Sequence, residues 1–336
     1  MITTFGEILL RLTTPNSFRI TQTSAFEAVY GGSEANVSAS LAHFGHKVQL
    51  ITRLPENELS EAVLQTLIKY KVEIDNILKG GTRLGVYFLE NGAGHRVAKE
   101  IYDRAESAMA EIKPGMVDWD KALENTTWFH WSGITPAISQ SAADTCLEAI
   151  EVAEKKGIRI SVDLNFREKL WQYGTQPSEV MPDMLKHCDI IFGGIDAPEK
   201  IFGIVPEDKS STKGELLETD MISIAEQMLK RFPKTQLFST TLKWIKNADH
   251  HQMQGMIFSK KGGELYLASV YDMPKILDKV GTGDAFMAGL IHGMIHFEDD
   301  LQEVVNFATA ASVLKHYIHG EVNISTISEI EDLIRK

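Results

Sequence analysis

Two glycine-bearing stretches stand near opposite ends of the chain, and both can do chemistry. Asp278-Lys279-Val280-Gly281-Thr282-Gly283-Asp284-Ala285-Phe286 runs into Met287-Ala288-Gly289-Leu290-Ile291-His292-Gly293, which reads as a helix. Two glycines just before a helix free the backbone to point several N–H groups at one spot, where the helix dipole adds partial positive charge. Such an anion hole suits a phosphoryl group in flight. Asp284, at its mouth, is placed to accept a proton from an attacking hydroxyl. The same letters also spell a plain turn with an N-cap aspartate. The pattern is neither a Walker A loop nor a GxGxxG fingerprint. The second stretch is Gly31-Gly32-Ser33-Glu34-Ala35-Asn36-Val37. Its double glycine permits close approach of a small polar ligand, and Asn36 offers both a donor and an acceptor. A strand-to-helix turn without a ligand would look the same.

The elements that must position these residues alternate in type. Ile8 to Leu10, Val48 to Ile51, Trp128 to Trp131, Ile158 to Val162, Ile190 to Phe192 and Leu237 to Thr240 read as strands. Ser33 to His43, Leu59 to Tyr70, Ser141 to Lys156 and Met221 to Arg231 read as helices between them. This alternation predicts a three-layer α/β fold with a mainly parallel sheet. Two pieces break it. Gly85 to Glu90 and His95 to Tyr102 flank Asn91-Gly92-Ala93-Gly94 as a β-hairpin, and the segment from Arg11 to Tyr30 can add strands, so segments of about 11–30 and 84–104 form a small lid. Ile257 to Leu267 is a second hairpin, turning at Lys261-Gly262-Gly263. Ala285, Gly289 and Gly293 fall four apart and give the helix a narrow face. Asp299 and Asp300 read as solvated helix-capping residues.

Composition excludes several classes. The chain has 336 residues, with 34 Lys and Arg against 46 Asp and Glu, a formal net charge of −12. That balance disfavours a general nucleic-acid binder, which needs a basic surplus. An acidic protein still holds an anion where a few cations and backbone amides converge. With 43% hydrophobic and 24% charged residues the chain has an ordinary globular make-up. Its two cysteines, Cys146 and Cys188, form no CxxC pattern, which fits a reducing cytoplasm. No signal peptide and no membrane span are predicted.

Together, the two glycine stretches resemble the ribokinase-like (pfkB) carbohydrate kinases. That family has an amino-terminal GG-x-x-x-N stretch and a carboxy-terminal D-x-x-G-x-G-D-x-F signature. The resemblance covers essentially the whole chain. It implies one kinase domain over 1–336, an αβα sandwich with a β-sheet lid, with ATP and Mg²⁺ as cofactors. Within the family, Gly85 to Glu90, Ile101 to Ala108, and Asp163-Leu164-Asn165-Phe166-Arg167-Glu168-Lys169-Leu170-Trp171 are similar to the 2-keto-3-deoxygluconate kinases. This implies that Gly32, Tyr87, Tyr102, Arg104, Asn165, Arg167 and Asp284 line a sugar-acid pocket. The residues agree in kind. Arginine is the side chain best shaped to grip a carboxylate. Asn165 and Arg167 follow a strand and so sit at its carboxyl end, where open α/β sheets bind ligands. Arg104 beside Asp103 and Glu106 also reads as a surface ion pair.

The nucleotide side departs from the family. A T-x-G-x-x-G loop is common there, whereas Thr241 leads here to Lys243-Trp244-Ile245-Lys246-Asn247-Ala248. Lys243 is a candidate phosphate contact or a solvated surface residue. Gly281, Thr282 and Gly283 are expected to contact the phosphoryl groups. Phe307 to Ser312, with Ala311, is a small-residue helix face that flanks adenine or packs on another helix. His316, Gly320 and Asn323 receive no role. The N-x-x-E metal motif is replaced by Gly193-Gly194-Ile195-Asp196-Ala197-Pro198-Glu199. Asp196 or Glu199 can reach Mg²⁺ through water or cap the next helix, so no metal ligand is assigned. The expected reaction is transfer of the ATP γ-phosphoryl to 2-keto-3-deoxygluconate, not separated from its galactonate epimer. A kinase for a neutral sugar such as fructose, or a catalytically weak sugar-acid or nucleotide sensor, is the alternative. Exposed lid edges suggest a homo-oligomer, a dimer or higher.

Overall fold

The computed structural model describes residues 1–207, 218–297 and 300–336. Asp299 lies outside the described residues, while the Asp300 carboxylate caps the helix Leu301–Lys315 by accepting from the Glu303 amide at 3.2 Å.

Nine strands build the main sheet. Val48–Ile51, Ile2–Phe5, Trp128–Ser132, Arg159–Asp163, Ile190–Phe192 and Leu237–Asn247 lie side by side and parallel. His250–Ser259 folds back antiparallel on the last of these, and both Glu264–Leu267 and Tyr271–Pro274 pair with its far edge. Apart from Leu237–Asn247, the parallel strands are short, and they are buried on both faces almost throughout, as a sheet covered by helices on each side requires. Phe129, Trp131, Ile160, Val162 and Leu164 pack under Gln140–Lys155, Pro177–Leu185 and Glu218–Arg231 in one core. Ile2, Val48, Leu50, Trp128 and Ile190 pack against Ser33–His43, Thr282–His296 and Leu301–Lys315 in a second core on the other side. This is the expected αβα sandwich.

A separate four-stranded sheet, in the order Glu27–Gly31, Leu9–Thr13, Val86–Glu90, Lys99–Asp103, forms the lid. Leu9–Thr13 pairs parallel with Val86–Glu90, and the two outer pairings are antiparallel. The apolar run at Ile8 to Leu10 therefore begins a lid strand. The main-sheet strand just before it, Ile2–Phe5, carries two threonines in its middle and gave no apolar run. Those threonines are fully buried and satisfied by hydroxyl partners, Thr3 with Thr126 at 2.7 Å and Thr4 with Ser38 at 2.6 Å. The lid reaches across to the rest of the molecule at its tip, where the Ala248 amide donates to the Gly94 carbonyl at 2.8 Å.

The strand predicted to end at Thr240 runs on to Asn247, so Lys243 to Asn247 are hairpin strand and not a loop. Of the narrow face of Ala285, Gly289 and Gly293, the two glycines pack on Leu301–Lys315. A Cβ on Gly289 would stand 2.7 Å from the Ala308 Cα and 3.3 Å from the Ala311 Cβ. Ala311 is fully buried in this helix contact and does not line the cleft described below. Of its two expected roles, helix packing is the one observed. Among the described residues no helix is long and apolar enough to cross a membrane.

Because the two helices meet backbone to backbone at Gly289, enlarging it forces them apart. Gly289→Val is expected to cost about 1–3 kcal/mol of stability, read as a lowered urea midpoint. An unchanged midpoint would contradict this packing.

Candidate active site

The site is built where Thr282–His296 starts. Gly281 occupies the N-cap position with φ 80°, a left-handed conformation that favours glycine. A Cβ there would fall 1.9 Å from the Glu321 carbonyl oxygen. The first bond of the helix runs from the Ala285 amide to the Gly281 carbonyl at 2.9 Å. The amides of Thr282, Gly283 and Asp284, in the first turn, have no acceptor among the described residues and are left free at the helix start.

Asp284 is the third residue of the helix and does not cap it. Its Oδ1 accepts from Ser33 Oγ at 2.8 Å and its Oδ2 from Asn36 Nδ2 at 2.7 Å. Both partners lie in Ser33–His43, one turn apart on the same face. The Asn36 amide group is used on three sides, since its Nδ2 also donates to Glu321 Oε2 at 3.1 Å and its Oδ1 accepts from the Gly32 amide at 3.3 Å. Asn165 Nδ2 donates to Ser33 Oγ at 3.1 Å and completes the frame.

The double glycine before this helix serves protein contacts. A Cβ on Gly31 would meet the Glu321 carboxylate at 2.4 Å, and one on Gly32 would meet the Glu7 carbonyl at 2.0 Å. Gly32 does line the cleft, but what its missing side chain admits is backbone.

Asp284 is buried, and burial pushes its pKa up to about 6 against the pull of the Asn36 and Ser33 hydrogen bonds. Asp163, at the carboxyl end of its strand, is also pushed up, first by burial and then by the charge of Asp284. Asp163 Oδ1 accepts from the Asn165 amide at 2.9 Å and holds Asn165 at φ 32°, where asparagine is better tolerated than most residues.

A cleft of about 550 Å³ opens over this frame, roofed by the lid. Every expected site residue apart from Ala311 lines it. Tyr87 lies on the lid strand Val86–Glu90, and its hydroxyl donates to Glu321 Oε1 at 2.5 Å. The Tyr102 ring stands 6.0 Å from the Tyr87 ring. Arg104 follows the lid strand Lys99–Asp103 and is buried. Its Nε donates to Glu7 Oε2 at 2.7 Å, and one terminal nitrogen contacts the same oxygen. It is therefore no surface ion pair with Asp103, which binds Arg83 at 2.8 Å instead. Arg167 is exposed to the cleft, and its guanidinium has no hydrogen-bond or ion-pair partner among the described residues. Lys243 Nζ donates to Thr282 Oγ1 at 3.3 Å, placing an ammonium beside the anion hole. Desolvation and then the charge of Arg167 push its pKa down to about 8, which leaves it mostly charged at neutral pH.

The described residues hold no cluster of three His, Cys, Asp or Glu side chains fit for a metal. Asp196 lines the cleft and pairs with Lys200 without capping the helix that follows it, whereas Glu199 does not line the cleft. Sequence reasoning missed Ser33, Glu7, Asp163 and Glu321. Ser33 carried a signal, three residues before Asn36 on one helix face. Glu7 and Glu321 carried none, because only the fold brings them into the cleft.

Comparison with known proteins accords with this geometry. The pfkB family carbohydrate kinase profile matches residues 1–218 and 251–321. The unmatched stretch between them contains the strand extension from Thr241 to Asn247. The crystal structure of 2-dehydro-3-deoxygluconokinase from Thermotoga maritima is 38% identical, covers 100% of this chain and 99% of its own, and superposes with a TM-score of 0.92. A pfkB family carbohydrate kinase from Listeria grayi is 31% identical over 100% of this chain and 99% of its own, with a TM-score of 0.89. The 2-dehydro-3-deoxygalactonokinase of Haloferax volcanii is 27% identical over 99% of this chain and 96% of its own. A family profile matched over most of the sequence, on a fold shared end to end with these kinases, shows that the chain belongs to the pfkB family of carbohydrate kinases.

Proposed function

We propose that this carbohydrate kinase transfers the γ-phosphoryl group of ATP to the primary hydroxyl of a six-carbon 2-keto-3-deoxy sugar acid, with 2-keto-3-deoxygluconate as the substrate. The observation that carries the reading is a buried aspartate held by two donors beside three free helix amides, in a cleft that an unpaired arginine enters. The names of the relatives, kinases of 2-dehydro-3-deoxygluconate and 2-dehydro-3-deoxygalactonate, support the sugar-acid class.

Asp284 orients the acceptor hydroxyl and takes its proton as the oxygen attacks. Ser33 and Asn36 fix the carboxylate so that little reorganisation is needed at that moment. The amides of Thr282, Gly283 and Asp284 stabilise the charge on the transferring group, and Lys243 adds a cation at the edge of the same hole. Arg167 receives the substrate carboxylate, which leaves the opposite end of the chain facing Asp284. Arg104, whose charge Glu7 offsets, orients the sugar by hydrogen bonding and does not supply the second net charge expected from the sequence. Tyr87 and Tyr102 cover the sugar, and the lid keeps out water that would otherwise accept the phosphoryl group.

Among the described residues no three His, Cys, Asp or Glu side chains are grouped to hold a metal, so Mg²⁺ would arrive on the nucleotide with phosphate and water supplying most of its ligands. Asp196 is one cleft carboxylate that could meet it through water. When bound, Mg²⁺ neutralises charge on the phosphate oxygens. A neutral-sugar kinase would leave Arg167 without a partner, and a sensor would have no use for a doubly held Asp284.

Three outcomes are expected. Asp284→Asn should retain sugar-acid binding by calorimetry while turnover falls by about 10²–10⁴-fold; near-normal turnover would remove Asp284 as the base. The base works only deprotonated, and its pKa is raised to about 6. Turnover should therefore be level above that pH and fall as pH drops through it. A profile still level at about pH 4.5 would contradict the assignment. Arg167→Ala should raise KM for the sugar acid by about tenfold or more with little change toward fructose. A rise confined to ATP would instead move Arg167 to the nucleotide.

A further inference from the structure

Arg11 is a buried cation that the proposed reaction leaves unused. It lies on the lid strand Leu9–Thr13 and does not line the cleft. Its Nη2 donates to Asp278 Oδ2 at 2.7 Å, and its Nη1 reaches Oδ1 at 3.5 Å. Its Nε faces Glu321 Oε1 at 3.7 Å. Among the described residues, Arg11 is the one cation within ion-pair distance of either carboxylate. Lys315, close by, is occupied otherwise, its ammonium donating to the carbonyls of Asp278 at 3.3 Å and Ile318 at 3.0 Å.

Each of these carboxylates holds a different half of the site. Asp278 accepts from the Val280 amide at 3.0 Å and the Gly320 amide at 3.1 Å, which pins the turn into Gly281 and the free helix amides. Glu321 accepts from Asn36, which grips Asp284, and from Tyr87 on the lid. Arg11 thus joins segments 267 residues apart in sequence.

We propose that Arg11 is a positioning residue for phosphoryl transfer, holding the anion-hole turn through Asp278 and the base and lid tyrosine through Glu321 in a single register. The inference rests on Asp284 as the base. Removing one partner of a buried charge cluster leaves the remaining charges uncompensated. Without Arg11, Asp278 and Glu321 would repel each other, and the two halves they hold would separate. A residue acting only on overall stability would change the amount of active enzyme, leaving KM in place and acting equally in any background.

The test is a double-mutant cycle on folded, concentration-matched enzyme, with kcat and sugar KM as the readouts. Arg11→Met in the wild-type background should lower kcat by about tenfold or more and raise sugar KM several-fold. In a Glu321→Gln background the same change should cost at least about threefold less, because one of the charges that Arg11 balances is gone. Equal factors in both backgrounds, or a loss of kcat with KM unchanged, would overturn the proposal. If Arg11→Met does not fold, Arg11→Lys carries the same cycle. It keeps a cation that reaches one carboxylate but not both, and the same background dependence is expected, with equal factors again overturning it. Asp284→Asn is measured alongside. Retained turnover there would refute the base, whereas additivity in the Arg11 cycle would refute only the positioning role.

Discussion

One helix start has to do two jobs that compete. The first amides of Thr282–His296 must stay free to meet an anion, and the same turn carries Asp284, whose carboxylate would naturally fold back and cap them. The structure resolves this by holding the carboxylate from outside. Ser33 and Asn36 take its two oxygens, so neither reaches the helix amides. Much of the architecture follows from that grip. Ser33–His43 must lie against Thr282–His296, which the small residues of both helices allow. Gly31 and Gly32 must carry no side chain, because Glu321 and the Glu7 backbone fill that space.

The electrostatics follow the same division. Burial raises the carboxyls of both Asp284 and Asp163; the charge of Asp284 raises Asp163 further, and that of Glu321 adds to the push on Asp284. Around these carboxyls the cations are placed by purpose. Arg104 is offset by Glu7 and Arg11 by Asp278, while Arg167 and Lys243 remain open to the cleft. A protein of net charge −12 thus presents free positive charge where an anion is to bind.

The sequence revealed the fold where its signals were local. Parallel strands such as Ile190–Phe192 announce themselves as apolar runs, and Ser33–His43 as a helix behind two glycines. Ile2–Phe5 was invisible because its two central threonines find hydroxyl partners only in the folded chain. The strand extension through Lys243 was hidden behind a family loop pattern that this chain lacks. The site was legible where residues cluster in sequence, as in Asp278 to Asp284 and Asn165 to Arg167. It was illegible where the partner is remote. Arg104 looked like a surface ion pair because Glu7 lies nearly a hundred residues away, and Glu321 had no local context to mark it. Ala311 shows the opposite case, where a small-residue face suited adenine and a neighbouring helix equally and only packing decided.

The central claim is that the free arginine and the held aspartate face opposite ends of one sugar acid. Initial rates of ADP release with MgATP, measured over 2-keto-3-deoxygluconate, 2-keto-3-deoxygalactonate, gluconate, fructose and ribose, test it most directly. The account predicts strong preference for the two keto-deoxy acids, with phosphate on the primary hydroxyl of the product. Comparable or better turnover of fructose or ribose would contradict it.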